Sequence, residues 1–260
     1  MTTLARRGAL ALVPVLLVAA CSDSATEPVS QLDQQVNLDV AHYVTDMTAD
    51  DMAMMAVSSG IFMGAPEASP PQGFGDLTLS RQVTFYGLSG NEQDYFSRDT
   101  TESIHFLFAM TGSYARSGEN GTVEVSVERD RDMTLSGLFG QENQRTWDGT
   151  GSSAKNRTRH SDENGERSYD MSSSTVVDEV VLPVPRTFDG WPLSGTITRD
   201  VHVTIIDESG ETTTKDRLVV ITFNGTQYVT MTVNGEEFEI DVAQWRCHRK
   251  GDGTRDGARG

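Results

Sequence analysis

Tyr228-Val229-Thr230-Met231-Thr232-Val233-Asn234-Gly235-Glu236-Glu237-Phe238-Glu239-Ile240-Asp241-Val242 decides the fold class. Val229, Met231 and Val233 fall two residues apart, as do Phe238, Ile240 and Val242, and Asn234-Gly235 separates the two runs. Successive side chains leave a strand on opposite sides, so apolar residues at this spacing give each strand one dry and one wet face. Asn-Gly tolerates the positive φ angles of a type I′ turn, and the stretch therefore predicts a β-hairpin. The same pattern recurs upstream. Asn120-Gly121, Asn164-Gly165 and Asn224-Gly225 also lie between alternating runs, and Ser209-Gly210 offers a further turn. Val123, Val125 and Val127, and then Ile197, Val201, Val203 and Ile205, repeat the two-residue spacing, which turns Val201 and Val203 inward.

Residues 144–160, 166–182, 193–207 and 211–223 exceed the usual five or six residues of a strand, and at ~3.3 Å per residue the longest reaches about 50 Å. Long strands in series predict an all-β fold in the main. The expected form is a long-stranded antiparallel meander curled into a barrel, half-barrel or sandwich, with one short N-terminal helical segment. That segment is read at 39–63, where Val40, Tyr43, Val44, Met47, Met54, Met55 and Ile61 form an apolar stripe at helical spacing. Thr48-Ala49-Asp50-Asp51 fits a capping box, so a break and restart is expected there. With no helical pattern after Met55, the sheet is expected to cover its own dry face, the helix plugging or flanking one end. A transmembrane barrel does not fit, because aromatic girdles are missing and charges would interrupt its lipid-facing bands.

The first residues carry an export pattern. Arg6 and Arg7 precede an apolar run that ends in Val18-Ala19-Ala20-Cys21, with small residues before a cysteine. Twelve residues with Pro14 among them, 9–20, fall short of the ~20 that a spanning helix needs. Val18-Ala19-Ala20-Cys21 resembles the lipobox of bacterial lipoproteins, which implies cleavage before Cys21 and lipidation of Cys21. Removing Arg6 and Arg7 with the leader takes the net charge from −17 to −19. So acidic a body repels phosphate backbones and anionic lipid, which argues against nucleic acid as a partner and leaves the acyl anchor as the membrane contact. With Cys21 committed to lipid, Cys247 is the remaining cysteine, and the fold rests on a hydrophobic core rather than on disulfides. The organisation read from the chain is a signal peptide at 1–20, a flexible tether at 21–38, the helical segment at 39–63, a Pro/Gly linker at 64–81, the antiparallel β domain at 82–246 and a disordered tail at 247–260.

Leu135-Ser136-Gly137-Leu138, Arg145-Thr146-Trp147-Asp148-Gly149-Thr150-Gly151-Ser152-Ser153, Trp191-Pro192-Leu193-Ser194-Gly195-Thr196-Ile197-Thr198 and Val220-Ile221-Thr222-Phe223-Asn224-Gly225-Thr226 look like segments from a family of uncharacterised β-rich bacterial lipoproteins. The resemblance covers residues 82–242. It implies the architecture and an envelope location and carries no activity.

Ser152-Ser153-Ala154-Lys155 matches Ser-x-x-Lys, but that dyad requires a helix, and on a strand positions three apart face opposite ways. The histidines His42, His105, His160, His202 and His248 never pair at ligand spacing, and His202 belongs on the wet face. Cys247-His248 is adjacent rather than spaced, so Cys247 reads as a free surface thiol. Glu128, Asp130 and Asp132 are expected around a turn, and Asp162, Glu163 and Glu166 flank Asn164-Gly165; neither group matches a calcium loop. Met47, Met52, Met54, Met55 and Met63 are read as packing rather than as soft metal ligands.

No catalytic residue, metal ligand or cofactor is assigned; Cys21 as the lipidation site is the one site residue. The expectation is a lipid-anchored protein of the bacterial cell envelope, on its periplasmic or surface face; Ser22 after Cys21 resembles the sorting signal of enterobacterial lipoproteins, which implies the outer membrane. It acts as a non-enzymatic binding or structural module. Its partners are the membrane through the acyl anchor, and an apolar small molecule or an envelope protein. The alternative is an envelope hydrolase using a carboxylate pair assembled from different strands.

Overall fold

The computed structural model describes residues 31–61, 78–118, 121–140, 142–161, 165–184, 190–206 and 209–250. A helix, α1 (Gln31–Ile61), precedes the strands β1 (Thr78–Gly87), β2 (Glu92–Gln93), β3 (Thr101–Gly118), β4 (Gly121–Ser136), β5 (Gln144–Ser161), β6 (Gly165–Pro183), β7 (Ser194–Ile206), β8 (Thr212–Thr222), β9 (Tyr228–Val233), β10 (Glu236–Asp241) and β11 (Arg246–Arg249). These form one 11-stranded sheet in the order β11-β10-β9-β8-β7-β6-β5-β4-β3-β1-β2, and every pairing in it is antiparallel. From β3 to β11 neighbours in sequence are neighbours in space. The sheet stays open, with β11 at one edge and β2 at the other, so the fold is a meander with a helix rather than a closed barrel or a two-sheet sandwich.

The four long segments fall within one residue of their expected ends, as β5 to β8. The Asn-Gly turns divide. Asn234 and Gly235 both have positive φ, 47° and 83°, between the paired Val233 and Glu236, which is the type I′ hairpin. At Asn120-Gly121 the ladder closes on Gly118 opposite Gly121, so Gly121 already belongs to β4. Asn224 instead uses its side-chain oxygen to accept from the Thr226 backbone N–H (3.0 Å) and hydroxyl (2.8 Å), an Asx-type loop between β8 and β9.

The dry face of the sheet is covered by α1, not by the sheet itself. Val36, Val40, Tyr43, Val44, Met47, Met52 and Met55 are buried in one core with Val201, Val203, Val219, Ile221, Met231, Phe238 and Ile240. The methionines Met47, Met52 and Met55 are core filler, whereas Met63 lies outside the described residues. At 31 residues α1 extends about 46 Å. It runs unbroken through Thr48-Ala49-Asp50-Asp51, where a capping box was expected. Thr48 is fully buried and donates to the Val44 carbonyl at 2.8 Å, and Asp51 is taken by arginines of the sheet, so neither side chain is free to cap.

The helix also begins at Gln31, inside the segment expected to be a tether. Its first turns are too polar to order themselves, but the sheet supplies partners. Asp33 pairs with Arg217 (2.7 Å) and Lys215 (3.2 Å), Asn37 accepts from Arg217 (2.5 Å) and donates to Glu236 (2.8 Å), and Arg249 donates to the Gln34 carbonyl. At the other end of the chain β11 takes Cys247 and His248 out of the expected tail.

Candidate functional site

The sheet's inner face carries a polar band. In β4 the run Glu128-Arg129-Asp130-Arg131-Asp132 is strand, not turn, and it alternates: both arginines are buried and all three acids are exposed. The arginines share parity with Val125, Val127, Met133 and Leu135, so the strand's own alternation turns them inward. Registers extend the band sideways. Arg131 lies opposite Gly151, Gly151 opposite Thr175, and Thr175 opposite Arg199; one row along, Arg129, Ser153 and Ser173 are aligned across β4, β5 and β6.

Asp51 of α1 descends onto this band. Arg131 donates to it through Nε (2.9 Å) and Nη2 (3.2 Å), Arg199 through Nη2 (2.5 Å), and Arg129 stands 4.0 Å away. Arg129 also donates to Asp50 (2.9 Å), and Arg199 to the Thr175 hydroxyl (2.5 Å). Arg131 spends Nη1 on the carbonyls of Asp130 and Ser152, both at 2.8 Å. Gly151 makes room for that side chain, since a Cβ there would lie 2.6 Å from Arg131 Cδ and 2.8 Å from its Nη1. Burial acts to raise the Asp51 carboxyl, but Arg199, Arg131 and Arg129 outweigh it and hold the group below the usual carboxylate range. Asp51 therefore stays ionised and cannot serve as a general acid near neutral pH.

The outer face is different in character. A trough of about 740 Å³ runs over β1 and β3 to β6, lined on the outward side by Gln82, Leu107, Asp130, Asp132, Ser152 and Val176. A second hollow of about 470 Å³ continues over β3 to β7 beside Glu128, Asn156, Asp170 and His202. Side-chain pairs lie on this outer face: His105 with Asp132 (2.6 Å), Ser152 with Asp130 (3.5 Å), Asn156 with Asp170 (2.6 Å) and His202 with Asp216 (2.6 Å). The serine and the imidazole are each committed to a different carboxylate, which is not the relay a nucleophilic serine requires.

Ser152 and Lys155 lie on opposite faces of β5, Lys155 reaching Asp46 (3.8 Å) and the Tyr43 ring on the inner side. His202 is on the wet face, and Val201 and Val203 are buried. The side chains of His160 and Glu166, and all of Asp162 and Glu163, lie outside the described residues, as does Cys21. Among the described residues no group of three or more His, Cys, Asp or Glu is placed to hold a metal ion. No helix among them is long and apolar enough to cross a membrane.

Cys247 is not a surface thiol. It is 8% exposed in β11, with Sγ 3.3 Å from His42 Nδ1 on α1. Burial pushes the thiol up from its ordinary value, Asp46 adds to this, and a hydrogen bond with Thr45 opposes it. Alkylation by iodoacetamide at pH 8, followed by mass spectrometry, is accordingly expected to run at least about tenfold slower in the native protein than in urea. Equal rates would show that β11 does not stay docked on α1.

Arg129, Arg131, Arg199 and Arg217 match no catalytic or binding motif, but all stand at inward parity beside apolar neighbours, and that parity is the sequence signal for them. Comparison with family models, curated proteins and solved structures finds no match for this chain.

Proposed function

We propose that the chain is a lipid-anchored protein of the bacterial cell envelope that acts as a non-enzymatic binding or structural module. The observation that carries this reading is the position of α1. The apolar face on which an acyl-chain guest would lie is filled by the protein's own helix, held by buried ion pairs, and the outer face carries an open trough of mixed lining, with Leu107 and Val176 beside Asp130, Asp132 and Ser152. An apolar guest on the inner face would have to displace α1, so an envelope protein docking on the outer face is favoured as the partner. The anchor rests on Val18-Ala19-Ala20-Cys21. Cys21 stands ten residues before Gln31, so an acylated Cys21 would tether the packed body within about 35 Å of the bilayer. The following Ser22 favours the outer membrane.

A carboxylate-pair hydrolase has less support. Asp51, the carboxylate buried deepest, is held ionised by arginines, and Asp130 and Asp132 in the trough are engaged by Ser152 and His105.

Two measurements test the proposal. Metabolic labelling with radioactive palmitate is expected to mark the wild type and not Cys21→Ala, and label on the variant overturns the anchor. Native mass spectrometry of the purified protein is expected to show polypeptide, with its anchor acyl chains and no copurifying apolar guest. A stoichiometric acyl-chain ligand would overturn the module reading in favour of a carrier.

A further inference from the structure

The polar band is not balanced in charge. Arg129, Arg131 and Arg199 have side chains 7%, 0% and 0% exposed, and among the described residues the one carboxylate buried with them is Asp51 at 1%. Asp50 answers Arg129 from the rim, where its side chain is 59% exposed and solvated. Three interior guanidinium groups thus face one interior carboxylate, and arginine does not discharge itself by losing its proton.

Hydrogen bonding is unbalanced in the same place. Arg129 Nε and Arg199 Nε are buried without a hydrogen-bond partner, and the buried Tyr43 and Ser173 hydroxyls have only each other. Arg129 and Ser173 are aligned across β4 to β6 through Ser153, and Arg199 lies opposite Thr175, two residues from Ser173 along β6. Tyr43 lies beside Ser173 and within electrostatic reach of all three arginines. Two charged N–H donors facing the band lack an acceptor, and buried polar groups are rarely left so. A water molecule would supply the acceptor but not the charge.

We propose that the band between α1 and the sheet is a binding site for a small monovalent anion of the halide class, chloride in the cell. The anion would accept from Arg129 Nε and Arg199 Nε, and from the one hydroxyl proton that the Tyr43–Ser173 hydrogen bond leaves over. It would neutralise part of the excess positive charge under α1 and act as a structural element of the helix–sheet interface, independently of whatever the outer trough binds.

The test is thermal unfolding of the full mature protein in nonionic detergent at fixed ionic strength, with chloride replacing gluconate from 1 to 300 mM. An ion bound only by the native state raises Tm with the logarithm of its concentration, here by about 4 °C or more across the series, and bromide substitutes for chloride. Arg129→Met removes one donor and one charge and is expected to abolish most of the halide-dependent rise. Crystals grown in bromide are expected to show an anomalous peak beside Arg199, a measurement that does not depend on the variant folding. Equal Tm in chloride and gluconate, an undiminished rise in Arg129→Met, or density without anomalous signal would overturn the site and leave an ordered water in its place.

Discussion

Asp51→Ala is expected to lower the unfolding free energy by about 3–5 kcal/mol, the range for removing one partner of a buried ion pair. The loss does not come from contact area, since the side chain is small. It comes from the guanidinium groups of Arg131 and Arg199, fully buried and left with no counter-charge, and from Arg129 beside them. Asp51→Asn keeps the shape and some hydrogen bonding but not the charge, and falls in the same direction. Asp46→Asn is the control: its carboxylate is 64% exposed and 3.8 Å from Lys155, and it is expected to change stability by no more than about 0.5 kcal/mol. Urea denaturation followed by circular dichroism reads all three, and an Asp51→Ala protein as stable as wild type would mean that α1 is not held by the arginine band.

The pH dependence of this effect has a definite sign. The Asp51 carboxyl is lowered in the folded state, so its contribution is fully present above the unfolded carboxyl value of about 3.9. It is lost as pH falls through the depressed folded value. The stability gap between wild type and Asp51→Asn should therefore stay constant from about pH 5 to 8 and narrow only below about pH 4.

Gly151→Val is expected to cost about 3 kcal/mol, at the upper end for overpacking a core. Gly151 lies directly opposite Arg131, and the arginine side chain crosses the strand through the space a Cβ would fill. A valine there has to push Arg131 away from Asp51 as well as crowd the Asp130 carbonyl. Combining Gly151→Val with Arg131→Met is expected to be less than additive, because the arginine's position has then been lost once already. Gly210→Ala makes the comparison: its φ is +80° with nothing within 4 Å, so it pays backbone strain alone, about 1 kcal/mol. Equal costs at the two glycines would show that Gly151 serves the backbone and not Arg131.

How far this was legible differs from element to element. The ends of β5 to β8 could be read to within a residue, because alternation and turn dipeptides are local properties of the chain. The start of α1 could not. Asp33, Gln34 and Asn37 look like tether when read alone and become helix because Arg217, Lys215, Glu236 and Arg249 lie about 180 or more positions away in sequence. Cys247 fails for the same reason: its short strand is buried by His42 and its neighbours on the helix, more than 200 positions distant. The arginine band is intermediate. The parity of Arg129, Arg131, Arg199 and Arg217 was present in the sequence, but parity names a face and not a partner.

The sequence by itself determined the antiparallel meander, the ends of β5 to β8 and the dry side of the runs that alternate, since these follow from the two-residue period of a strand and from the conformations Gly and Asn permit. Only the tertiary structure decided that the dry side is closed by α1 rather than by the sheet, and that Asp51 is the anion on which Arg131 and Arg199 converge. The reason is physical. A buried charge is tolerated only at a specific three-dimensional pairing, and no local period encodes which of the 38 acidic residues will be brought to it.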